Sequence, residues 1–79
     1  MIEEEIKQLV TAQLKIEPEQ YSEDLMAGDI PEWDSLAHVN LLMAVEKHFN
    51  IVFDVGDAID IESAGDLIDA VKRSTQPPS

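Results

Sequence analysis

Three side chains of types that do chemistry fall within five positions of one another in the stretch PEWDSLAHVNLLMAVEKHF, residues 31–49: Asp34, Ser35 and His38. A serine and a histidine three residues on can approach each other on a helix, and a nearby acid that orients the imidazole would complete a nucleophilic set. The rest of the chain does not support that reaction. No glycine-rich turn offers an oxyanion hole, and a chain this short does not wall off a deep pocket. A serine ahead of an apolar run also has a plainer duty, capping a helix through its side-chain oxygen. Asp34 competes for that duty. With Asp34 as the cap, Ser35 becomes the first helical residue and its hydroxyl is left free. A phosphate ester on that oxygen would sit at the positive end of the helix dipole, beside unpaired backbone N–H groups. The second histidine, His48, reads as a solvent or helix-end residue. The two histidines and the scattered acids have no metal-ligand spacing, and the absence of cysteine removes thiolate sites, disulfides and a thiol nucleophile. No metal site is expected.

The helix that positions Asp34, Ser35 and His38 should run from about Ser35 to His48. Placing successive residues 100° apart puts Leu41, Leu42, Val45 and Phe49 on one side. Leu36, Val39 and Met43 form an adjoining stripe, with Ser35 near the boundary between the two. That is more apolar surface than an amphipathic helix needs. Either the helix is buried on a broad front, or the second stripe meets a partner or an apolar ligand.

Around this helix the pattern predicts three more. Residues 2 to about 15 carry Ile2, Ile6, Leu9, Val10 and Leu14 at helical spacing, with Glu3, Glu4 and Glu5 in the first turn and Lys15 in the last. Pro18 then bars easy continuation. Residues 16–33 form a long connection in which Leu25, Met26, Ile30 and Trp33 are available to pin the loop to the core. Alternation in NIVFDV permits a strand, but no second strand is evident to pair with it. Residues 54–61 suggest a short helical turn. The last helix is marked by Ser63 and Asp66 at capping-box spacing, then Ala64, Leu67, Ile68 and Val71, with Lys72 and Arg73 at its end. The expected fold is all-α, a small four-helix bundle with a short third helix and a long loop between helices 1 and 2. Residues 1–73 form the domain, and residues 74–79, STQPPS, are expected to be a disordered tail.

The totals set the outer bounds. A chain of 79 residues is one small domain, burying only about 60% of the surface that its unfolded form exposes. Seventeen acidic residues against five basic ones give a net charge of −12, a field that repels nucleic acid and anionic lipid and favours basic surfaces. The start, MIEEEIKQ, does not read as a signal peptide, and no apolar run approaches the ~20 residues of a membrane span. A cytoplasmic monomer without nucleic-acid or membrane partners is expected.

DSL at the opening of a helix, followed by V-x-L-L-M-A-V-E-x-x-F-x-I up to Ile51, resembles the acyl carrier protein family. The resemblance covers nearly the whole chain, from the Ile2–Leu14 helix to SAGDLIDAVKR. The triplet alone is weak; joined to that run in a chain of this length, charge and helix order, it is specific. It implies that Ser35 receives 4'-phosphopantetheine from coenzyme A through a separate magnesium-dependent phosphopantetheinyl transferase. The cofactor's thiol then holds an acyl group as a thioester, loaded by a ligase or transferase, and presents it to successive biosynthetic enzymes. The carrier itself catalyses nothing. By the same resemblance Asp34 and Leu36 flank the modified serine and help the transferase recognise it. Leu36, Val39 and Met43 match positions where carriers meet their partner enzymes, and Glu46 remains among the acids of that helix. Ala37, Asn40 and Lys47 stand where fatty-acid carriers commonly have acids, and PEWDSL replaces the usual Leu-Gly or Gly-Gly approach. The chain therefore looks like a discrete carrier serving a specialised pathway. Its rivals are an aminoacyl or peptidyl carrier using the same arm, and an acidic helical module that binds a partner without covalent cargo.

Overall fold

The computed structural model describes residues 2–75. Helix α1 (Ile2–Leu14) turns Ile6, Val10 and Leu14, each four residues from the last, into the interior. It ends one residue earlier than the pattern suggests, because Lys15 swings into the left-handed region with φ 57°. The chain then reverses, and the Ile16 N–H donates to the Thr11 carbonyl at 3.1 Å, as at other helix ends closed by a left-handed residue. Lys15 thus terminates the helix instead of completing its last turn, and Pro18 opens a separate 3₁₀ turn, Pro18–Gln20.

Helix α2 (Ser35–Phe49) runs one residue past the expected end and stops at Asn50, whose left-handed backbone suits an asparagine. Helix α3 (Val55–Asp60) is short, and α4 (Ala64–Thr75) closes the chain as described. Ser74 and Thr75, expected in a disordered tail, belong to α4: the Thr75 hydroxyl donates to the Val71 carbonyl at 2.9 Å. Residues 76–79 lie outside the described residues. Helix α1 packs against both α2 and α4, and Leu41, Val45, Leu67, Ile68 and Val71 meet its inner face in one core with Trp33, Phe53 and Ile61. Among the described residues there is no strand; within NIVFDV, residues 51–54 are an irregular crossing that buries Phe53 and exposes Val52, and Val55 begins α3.

The long loop is laced down by its backbone. The start of α4 leaves N–H groups without helical acceptors, and the loop supplies them: Ala64 N–H donates to the Leu25 carbonyl at 3.0 Å and Gly65 N–H to that of Glu23 at 2.8 Å. In the other direction Ala27 N–H donates to the Glu62 carbonyl at 2.8 Å. A side chain at Gly65 would bring its Cβ to 3.1 Å from the Glu23 carbonyl oxygen, so this close approach favours glycine. Ser63 Oγ accepts from Asp66 N–H, while the Asp66 carboxylate reaches back to Glu62 N–H. The capping pair therefore extends one residue further back than its spacing implies. Trp33, Leu25 and Ile30 all contribute to the core, but Met26 is exposed and joins the loop to Ser63 through a backbone bridge.

Candidate functional site at the start of α2

Asp34 is extended at φ −91° and ψ −175°, and its Oδ1 accepts from the Ala37 N–H at 2.8 Å. The aspartate is therefore the helix cap, and Ser35 is the first helical residue. The Ser35 side chain is exposed, and among the described residues its hydroxyl has no hydrogen-bond partner. The backbone N–H groups of Ser35 and Leu36 likewise have no protein acceptor there. A free hydroxyl beside two open donors at the positive end of a helix is suited to bearing a phosphoryl group.

His38 is not set up as a base for Ser35. Its Nδ1 accepts a hydrogen bond from the Trp33 indole N–H at 2.9 Å, with the two rings tilted by 30°. Indole nitrogen can only donate, so the neutral imidazole carries its proton on Nε2. In a Ser-His-Asp arrangement Nδ1 would instead donate to an acid, and Asp34 is occupied at the Ala37 amide. The pair has a structural reason as well: Trp33 is fully buried, and its N–H needs the acceptor that His38 supplies.

The two apolar stripes of α2 part company. Leu41 and Val45 are buried, and Leu42 and Phe49 are half-buried against the core. Leu36, Val39 and Met43 are 71%, 52% and 59% exposed, so the second stripe is displayed. Glu46, expected among the partner-facing acids, is half-buried, and its carboxylate accepts from the Phe53 N–H at 2.8 Å. That bond fixes the crossing after α2. His48 lies at the helix end, with Nε2 3.3 Å from the Glu5 carboxylate of α1 and both side chains exposed.

Two grooves flank the displayed stripe. One, of about 470 Å³, lies between the Ala27–Gly28 turn and Trp33 on the loop side and Ser35, His38 and Val39 on α2. Gly28 shapes it: its φ of +91° favours glycine, and its N–H donates to the Trp33 carbonyl at 2.8 Å. The other, of about 320 Å³, lies between α2 and α3 and is lined by Leu42, Met43, Phe53, Val55 and Ala58. Val39 borders both. The sequence pattern did not disclose the loop-side groove; the only signal was an indole donor five residues before a histidine.

The family model for the phosphopantetheine attachment site matches residues 4–71. An acyl carrier protein of Wolinella succinogenes is 36% identical over 65 residues, which is 82% of this chain and 86% of that protein. The solution structure of a holo acyl carrier protein from Geobacter metallireducens is similar with a TM-score of 0.80 at 28% identity, covering 91% of this chain and 83% of that one.

Proposed function

Since this chain belongs to the acyl carrier protein family, whose covalent group is 4'-phosphopantetheine, we propose that Ser35 is the attachment point and that the carrier serves a specialised biosynthetic pathway. The observation that carries this reading is the division of labour at the helix start: Asp34 caps, and the Ser35 hydroxyl stands free and exposed. In the loading step the Ser35 oxygen bonds to the pantetheine-bearing phosphorus of coenzyme A. The pyrophosphate linkage breaks, adenosine 3',5'-bisphosphate leaves, and the hydroxyl proton passes to the transferase. The open N–H groups of Ser35 and Leu36 supply donors for the resulting phosphodiester. When attached, the group supplies a thiol that holds the acyl cargo as a thioester; the carrier contributes no catalytic side chain of its own.

Leu36, Val39 and Met43, with Asp34 and Glu46 at their margins, form the surface for the transferase, the loading enzyme and the downstream enzymes. Exposed apolar side chains rimmed by acids suit partners with a matching apolar patch and a basic rim. The test is intact-protein mass after incubation with coenzyme A, magnesium and a broad-specificity phosphopantetheinyl transferase. One added phosphopantetheine on the parent and none on Ser35→Ala is the expected result. Modification of the Ser35→Ala variant would move the attachment elsewhere. Loading assays with acyl and aminoacyl donors then separate an acyl carrier from an aminoacyl or peptidyl one.

A further inference from the structure

Ser35 is itself part of the wall of the loop-side groove, so an arm that begins at its oxygen begins inside that groove. The α2–α3 groove is first reached at Val39, four residues on, or about 6 Å along the helix. The two also differ in chemistry. A pantetheine segment is amphipathic: it has a gem-dimethyl group, a hydroxyl and two amides, and it needs hydrogen-bond partners as well as apolar walls. Ala27 and Val39 give the loop-side groove its exposed apolar walls, and the buried Trp33 backs it. His38 lines it as well, and with Nδ1 taken by the Trp33 N–H its ring proton is left free to donate from Nε2. Each groove also has one carboxylate engaged by a backbone amide, Asp34 by the Ala37 N–H and Glu46 by the Phe53 N–H. The side chains that line the α2–α3 groove include no hydrogen-bond donor.

We infer that the groove between the Ala27–Gly28 turn and the first two turns of α2 seats the pantetheine segment of the arm, with His38 Nε2–H as its hydrogen-bond donor. The inference rests on Ser35 being the attachment point. The groove's volume of about 470 Å³ falls in the ~300–1,000 Å³ range of small-molecule sites. Its walls are set in advance: Trp33 is buried, its indole is bonded to His38, and its carbonyl is bonded to Gly28. A site fixed before binding spends little on ordering. Trp33 and His38 are then positioning residues for the arm, with no part in any bond that is made or broken.

The experiment compares the unmodified and phosphopantetheine-bearing proteins, whose state is first established by intact mass, in ¹⁵N- and ¹³C-resolved NMR spectra. The expected shifts on modification fall on the Trp33 indole N–H, the Ala27 and Gly28 amides and the His38 ring. Cross-relaxation should link the arm's methyl protons to Ala27 and Val39. Ala27 is exposed, and in phosphopantetheine-bearing Ala27→Phe, which fills the groove, the shifts at Trp33 and His38 should be lost. An added mass with shifts confined to residues 34–37, or centred on Leu42, Phe53 and Ala58, overturns the inference and leaves the attachment reading standing. Unchanged Trp33 and His38 shifts in the Ala27→Phe protein overturn it too. No added mass on the folded parent, with an active transferase control, overturns both readings.

Discussion

One helix, α2, carries two apolar stripes of comparable composition that meet opposite fates. Leu41 and Val45 are buried where α1 packs against the helix, whereas Leu36, Val39 and Met43 stand more than half exposed. His38 lies on the same side as Leu42, Val45 and Phe49, at the start of the helix, where the loop covers it through Trp33. What separates core from display is therefore the element that lies over each stripe, not the helix's own pattern. Burying Leu41 removes its apolar surface from water and contributes to folding; leaving Met43 exposed contributes almost nothing to folding and keeps a surface open to partners.

The strongest way to break that comparison is to truncate one residue from each stripe. Leu41→Ala should lower the unfolding free energy by about 2–5 kcal/mol, the usual cost of an emptied aliphatic core site. Met43→Ala should stay within about 0.5 kcal/mol, as surface changes do. Urea denaturation followed by circular dichroism reads both. Met43→Glu sharpens the contrast, because it should reduce kcat/KM with a partner enzyme while holding the unfolding midpoint. A loss of several kcal/mol in that variant, as for a buried unpaired charge, would place Met43 in the core and dissolve the distinction.

The next test lies at His38, where the loop covers the first stripe. His38→Ala leaves the Trp33 N–H buried without an acceptor, which should cost about 1–3 kcal/mol. His38→Asn should recover part of that loss, since its carbonyl oxygen lies near the place of Nδ1. The chain has a single tryptophan, so its fluorescence reports on this pair alone. Equal stability of the alanine and asparagine variants would show that the bond to Trp33 contributes nothing.

Helices α1 and α4 were legible from apolar spacing: Ile6, Val10 and Leu14 in α1, and Ala64, Leu67, Ile68 and Val71 in α4, all prove buried, whereas α3 buries no residue and showed only as a short turn. At the start of α2 the sequence offered both Asp34 and Ser35 as caps, and the Asp34 bond to the Ala37 N–H decides between them. The interactions that pattern could not show are those that join residues of different elements or have no periodicity. The loop carbonyls of Glu23 and Leu25 that receive the α4 donors belong to a stretch without a repeat. The Glu46 bond to the Phe53 amide depends on how the chain crosses after Asn50. Lys15 looked like a dipole-matching cation, yet its backbone, not its charge, closes α1. Pattern also gave α2 two stripes without saying which was covered, because that is decided by where α1 and the loop lie.

A smaller effect should come from Tyr21, a half-buried residue on the covering loop whose buried hydroxyl finds no hydrogen-bond partner among the described residues. Tyr21→Phe removes that unpaired oxygen and keeps the ring, so thermal melts should show a gain of about 1 kcal/mol. Burial, aided by the charge of Glu23, pushes the phenol above its ordinary range. A raised folded-state value contributes stability that is fully present below the unfolded value of ~10 and is lost as pH rises through the folded value. The phenylalanine variant should lack that alkaline loss. A destabilised Tyr21→Phe protein would mean that the hydroxyl has a partner, and that the loop covers the core by a polar contact.

The smallest effect is expected at the surface clasp between α1 and α4, where Lys72 Nζ lies 2.7 Å from Glu3 Oε2. The hydrogen bond donated by Lys72, with one accepted from the Glu3 backbone N–H, holds the Glu3 carboxyl below its ordinary range, and the same contact to Glu3 raises Lys72. For the glutamate, the folded protein binds a proton less readily than the unfolded chain. Its contribution is therefore present above the unfolded carboxylate value of ~4.3 and is lost as pH falls through the lower folded value. For Lys72 the sense is reversed: the contribution is present below ~10.4 and is lost as pH rises through the higher folded value. Urea midpoints of the parent and Glu3→Gln, measured from pH 7 down to pH 3, should converge as the carboxyl protonates. Added salt should narrow their difference at neutral pH, since exposed charges are screened. A constant difference across the acid range would show that Glu3 acts through its packing on α4 and not through its charge, which would make α1's outer edge part of the held face and leave the stripe of Leu36, Val39 and Met43 more isolated as the surface that the fold does not need.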